Sequence, residues 1–188
     1  MSQLVEHHRR ACDAFSRVTV QVTDAQWELP TPCPQWGART LVEHVIGFHD
    51  FLLLRPLGVR ANRPKTGPAA RWAATSVALF GALDTPGTLD RETELPGGGT
   101  SSPRTMIGAL TTDVLVHTWD LARAASVDPA LDDELCALAY DNARAAGFGA
   151  ATEMFHAEVP VPDGADAATR LIALCGRNPA WHARAPHR

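Results

Sequence analysis

Apolar side chains recur at steps of three and four along four long segments of the chain, the spacing that keeps one face of a helix out of water. In residues 3–22 the stripe is Leu4, His8, Ala11, Phe15, Val18 and Val22, behind Ser2 as a possible cap. Ala38 to Leu54 carries Leu41, His44, Val45, Phe48 and Leu52. Pro68 to Leu83 offers Trp72, Val77, Leu79, Phe80 and Leu83 for burial. Pro103 to Ala125 carries Met106, Leu110, Val114, His117, Leu121 and Ala124, with Ser102 as cap and Pro103 in the first turn, where its missing N–H costs nothing. Two shorter helices are predicted further on. One starts at Asp132 or Asp133, uses Leu131, Leu135, Leu138 and Ala139 as apolar contacts, and stops at Gly147. The other runs from Asp166 to Leu174 and ends at Gly176, and Ala150 to His156 predicts one more helical turn. The sum is a mainly all-α chain with four helices long enough for a bundle.

The connections read differently. Pro30, Pro32 and Pro34 forbid a helix before Ala38, and Trp27 and Trp36 are placed to pin that loop down. Residues 55–68 are rich in Gly and Pro and predict an exposed link. Asp84 to Ser102 predicts turn, short extended piece, turn; its Pro96-Gly-Gly-Gly run lacks the lysine of a phosphate loop.

Two of the stripes carry ionisable groups where apolar ones are expected. His44 sits in the second helix, and His117 lies in the fourth with Asp113 beside it, one turn earlier. Residues four apart on a helix are neighbours, so Asp113 and His117 can share one ion. Burying such groups alone costs several kcal/mol each, roughly, which leaves a hydrogen-bonded polar cluster or a metal as remedies. Two imidazoles and one carboxylate suit zinc, nickel or non-haem iron, with coordination positions left open. Asp120 and Arg123, three apart, are expected to support the site without coordinating it; the spacing permits a local ion pair, and Asp120 could instead orient a metal-bound imidazole. Arg71 is a candidate for thiol or substrate binding, with a surface role as the alternative.

Charge and composition narrow the classes. A formal net charge of −4 gives no electrostatic case for nucleic acid. No stretch approaches a membrane span, and the N-terminus lacks the hydrophobic core of a signal peptide. Cys12, Cys33, Cys136 and Cys175 are scattered, which fits reduced packing thiols in the cytoplasm, Cys33 the more exposed. His7, His8, Arg9 and Arg10 read as a small basic, solvated cluster.

Three motifs then bring a family into view. Pro32-Cys-Pro-x-Trp36 leads through Arg39 to Leu41-Val-x-His44-Val-x-Gly47; Asp113-x-x-x-His117-x-Trp119-Asp-Leu-Ala-Arg123 follows. Val159-Pro-Val-Pro-x-x-Ala165, with Arg170-Leu-x-Ala-Leu and Gly176-Arg-x-Pro179, closes the set. In this order they resemble the mycothiol-dependent maleylpyruvate isomerase-like group of the DinB-like superfamily, over nearly the whole chain. The resemblance implies a single DinB-like four-helix-bundle metal-binding domain over residues 1–178, with 179–188 as a loose tail. It places the metal ligands on His44, Asp113 and His117. The isomerase itself has Glu where Asp113 stands, and many relatives in the wider superfamily have His there. The shorter Asp implies a different metal, geometry or substrate, and the match does not extend to the isomerase's additional C-terminal domain.

The resemblance also implies chemistry. A divalent ion, zinc first with nickel or iron as alternatives, would turn mycothiol into a thiolate for S-transfer or isomerisation of a small electrophile. The expected partners are that thiol and that substrate, without nucleic acid or membrane, in a monomer or homodimer. A metal-dependent hydrolase, an iron oxygenase, a non-catalytic metal-binding protein and a plain polar core are the competing readings.

Overall fold

The computed structural model describes residues 2–150 and 156–183. Within them six α-helices follow one another: α1 (Gln3–Thr19), α2 (Ala38–His49), α3 (Pro68–Leu83), α4 (Pro103–Ala125), α5 (Asp133–Ala145) and α6 (Ala167–Leu174). The chain is thus mainly α-helical, with one small hairpin, β1 (Thr93–Glu94) antiparallel to β2 (Thr100–Ser101), ahead of α4.

α1 packs on α3 and α4, and α2 packs on the same two helices. The four therefore close a ring in which α1 faces α2, and α3 faces α4, across the diagonals. The links 20–37 and 84–102 must cross the end of the bundle, which accounts for their length. α5 and α6 pair with each other and lean on α4. With neighbours on so many sides, α4 is buried almost all round: Ile107, Leu110, Val114, Leu115, Leu121 and Ala122 are all shielded. Trp72 from α3 sets its ring edge-on to Phe15 of α1 at 5.0 Å and donates its indole hydrogen to Ser16 Oγ at 2.8 Å.

The helix ends depart from the sequence reading in places. α1 stops at Thr19, and Val20 beyond it is exposed. α2 ends at His49 and continues as one wide π turn, Asp50–Leu54. Val77 and Leu138, expected inside, face solvent; Val77 lies opposite the face made by Trp72, Thr75, Leu79 and Leu83. Neither Ser2 nor Ser102 makes a side-chain cap bond, whereas Asp132 and Asp166 accept from Leu135 N at 3.0 Å and Thr169 N at 2.6 Å. A carboxylate also meets the positive end of the helix, which a hydroxyl does not exploit. The turn expected at 150–156 falls mostly outside the described residues, and His156 itself is in no helix. Gly176 adopts φ +77° after α6; a Cβ there would stand 2.7 Å from the His156 carbonyl oxygen, so glycine is required for the close approach. Pro179, the first residue of the tail, has its carbonyl held by Arg123 at 3.0 Å. Among the described residues no helix is long and apolar enough to cross a membrane.

Candidate metal centre

Between α2 and α4 the structure brings His44, Asp113 and His117 together, with one nitrogen or oxygen of each within 4.8 Å of the others. Asp113 Oδ1 is the hub: it lies 3.4 Å from Nε2 of His44 and 3.4 Å from Nε2 of His117. The two imidazoles meet edge to face, 5.0 Å between centroids. Asp113 Oδ2 is buried and has no hydrogen-bond partner. A carboxylate left so is costly unless something cationic joins it. Ligands of one tetrahedral ion at about 2.0–2.2 Å stand roughly 3.3–3.5 Å apart, so the donor set and its spacing fit a divalent metal.

Each side chain is held from behind. His117 Nδ1 donates to Asp120 Oδ2 at 3.0 Å, which leaves Nε2 facing Asp113. Asp120 is fully buried and is gripped by Arg177, whose Nη2 stands 3.1 Å from Oδ2 and whose Nε stands 3.3 Å from it. The expected pair between Asp120 and Arg123 does not form: Arg123 lies over the Trp119 ring at 5.3 Å and donates to Pro179 O. Trp36 stacks on His44 at 4.0 Å and 19°, and also touches His117 edge-on at 5.5 Å. The proline-rich loop fixes it there, since Thr31 Oγ1 donates to Trp36 O at 2.7 Å and Pro30 bridges to Gly37.

The electrostatics follow from the crowding. Burial pushes the Asp113 carboxyl up, but His117 and His44 outweigh it and hold it well below the usual range. Burial pushes the His117 imidazole down, yet Asp113 and Asp120 overcome this and raise it to about 9. Without a metal this pair shares a proton tightly.

Beside the cluster opens a cavity of about 280 Å³. Phe48, Val116 and Phe148 supply apolar wall, while Asp113, His117 and Arg177 supply the polar end. Arg71 is not among its lining residues; it forks onto Glu43 at 2.7 and 2.9 Å and reaches Pro64 O. Sequence reasoning missed Arg177 and Trp36 as site residues. Cys33, expected the more exposed cysteine, is buried, and His8, placed with the solvated basic cluster, is fully buried.

The family profile described as Mycothiol maleylpyruvate isomerase N-terminal domain matches residues 8–122. Two relatives in Mycobacterium tuberculosis, Uncharacterized protein MT0763 of strain CDC 1551 / Oshkosh and Uncharacterized protein Rv0738 of strain ATCC 25618 / H37Rv, are each 36% identical over 178 residues. Each alignment covers 90% of this chain and 95% of the relative. No solved structure matches significantly.

Proposed function

Because the chain belongs to the mycothiol maleylpyruvate isomerase N-terminal domain family, we propose that it is a divalent-metal-dependent enzyme that joins a low-molecular-weight thiol, mycothiol first, to a small electrophile, in transfer or isomerisation. The observation that carries this reading is Asp113: one oxygen equidistant from two imidazole nitrogens, the other buried without a partner.

His44, Asp113 and His117 would hold the ion. When bound, it would supply Lewis acidity that lowers the pKa of an incoming thiol and polarises the electrophile. The protein's own residues do the rest. Asp120 keeps the His117 ring in the tautomer that offers Nε2, and Arg177 holds Asp120 in place. Trp36 shields one face of His44 from water. The apolar wall of the cavity orients a small substrate against the polar end.

The chain's own thiols are poor nucleophiles. Burial raises all four above their ordinary value, Cys136 and Cys175 to about 12, and Cys175 is the one that lines the cavity. Thiol chemistry at this centre therefore calls for an external thiol. The test is the metal content of protein purified without a histidine tag: Asp113→Ala should lose one equivalent relative to the parent while the helical circular dichroism persists. Equal metal in both would overturn the site, and with it the reaction.

A further inference from the structure

A second group of ligand-type side chains sits at the middle of the bundle. His8 and Cys12 lie one turn apart on α1, and His49 reaches them from the end of α2 across the diagonal. All three are fully shielded from solvent.

Their hydrogen bonds fix where the ring protons are. His49 Nδ1 stands 2.7 Å from the Val45 carbonyl oxygen, which can only accept, so Nδ1 carries a hydrogen. Thr111 Oγ1 gives its single hydrogen to Ile107 O at 2.8 Å, so toward His8 Nδ1 at 3.0 Å it accepts, and that nitrogen carries a hydrogen too. In neutral rings both Nε2 atoms then hold a lone pair. Those two atoms point at each other 3.2 Å apart, and Cys12 Sγ stands 3.6 Å from the His8 one. Two acceptors at that distance repel unless a cation lies between them. A proton would serve only by making an imidazolium, which the apolar surroundings disfavour: Phe80 faces His8 at 5.9 Å and Trp72 faces His49 at 5.4 Å.

The spacing suits a metal. Ligands on a tetrahedral zinc, at about 2.0–2.1 Å for nitrogen and 2.3 Å for sulfur, stand roughly 3.3 Å apart for N and N and roughly 3.6 Å for N and S. Each imidazole already donates its other hydrogen to an oxygen, as ligating histidines do. We infer that His8, Cys12 and His49 form a second metal site, separate from the centre at Asp113, that takes zinc and ties α1 to α2 across the bundle. On binding, the thiol proton of Cys12 leaves and two nitrogen lone pairs and one thiolate pair are donated to the ion. All three side chains are shielded from solvent and none of them lines the cavity beside Asp113, so the site is closed to substrate.

Cobalt(II) is the probe, because thiolate ligation adds a charge-transfer band that nitrogen and oxygen ligands do not. His44→Ala/Asp113→Ala protein, with the outer centre disabled, is unfolded in chelator and refolded with cobalt(II). One equivalent with the thiolate band is expected, and Cys12→Ser added to this background should abolish both. Refolded, helical protein that takes up no cobalt, or takes it up without the band, would overturn the site and leave a shared proton between the rings. If the variant does not refold, X-ray absorption of zinc-bearing parent protein decides: sulfur in the metal shell that vanishes in Cys12→Ser supports the site, and its absence from the parent refutes it. The outer centre is judged separately, by loss of cobalt on adding Asp113→Ala to Cys12→Ser.

Discussion

Asp120 takes the Nδ1 hydrogen of His117 at 3.0 Å from three residues further along the same helix. That one bond decides which nitrogen of His117 faces Asp113 and His44. Replacing Asp120 with Asn keeps an acceptor but removes the charge that makes the ring a better donor to metal. Asp120→Asn should weaken metal affinity at the outer centre by roughly ten- to a hundredfold while leaving the stoichiometry at saturation unchanged. Competition titration against a chelating dye measures this; an unchanged affinity would reduce Asp120 to a partner of Arg177.

Arg177 is 8% exposed, and its guanidinium is the cation that compensates the buried Asp120. Arg177→Met should destabilise the fold by about 3 kcal/mol or more, because it leaves a buried carboxylate without its strongest partner. Adding Asp120→Asn should recover part of the loss, since the orphaned charge goes with it. Urea unfolding of the two single variants and the double variant gives the coupling. Strict additivity would show that the pair does not act as a unit.

The raised His117 predicts how metal binding depends on pH. In the metal-free chain the imidazole is held at about 9, above its ordinary 6.5, so at pH 7 it is protonated and a metal must displace that proton. Apparent affinity should rise about tenfold per pH unit between roughly 7 and 9 and flatten above. Stability runs the other way. A value raised on folding stabilises the chain fully below its unfolded value of 6.5, and that contribution is lost as pH rises through about 9. Chelator-treated protein should therefore unfold at lower urea at pH 9.5 than at pH 6.5. Metal-loaded protein should not show this loss from His117.

The bundle was legible because burial on a helix repeats every three or four residues, and α3 and α4 fall on Pro68–Leu83 and Pro103–Ala125, as that spacing predicts. His44 and His117 stand out because they interrupt two apolar stripes, and Asp113 because it borders one of them a turn before His117. Trp36 and Arg177 did not, because they arrive from a proline-rich loop and from the turn after α6, where no period links residue to neighbour. Spacing alone puts Arg123 within reach of Asp120, but Arg177 comes from outside α4 and fills that place. His8 fell on the stripe through Leu4, Ala11 and Phe15, yet its neighbours His7, Arg9 and Arg10 gave it the look of a solvated charge. It is inside because Thr111 on α4 takes its Nδ1 hydrogen and Cys12 and His49 meet its other nitrogen.

The use of a thiol separates the proposed reaction from hydrolysis. Coordination requires the thiolate, whereas a free thiol with a pKa of about 8.5 is mostly protonated at pH 7. Mycothiol binding to protein with the outer centre loaded should thus release close to one proton, and the binding enthalpy should vary with the ionisation heat of the buffer. The protein cannot take up that proton on its own sulfurs, which burial keeps protonated already. Cobalt in the outer centre should gain a thiolate charge-transfer band on adding mycothiol, and Cys12→Ser protein should gain it equally, which sets this signal apart from the inner cluster. Asp113→Ala should abolish the heat and the added band together. A hydrolase activates water, so it predicts no proton release and no sulfur band on adding thiol. Metal-loaded protein that gives neither at millimolar mycothiol would sink the thiol reading and move hydrolysis ahead of it.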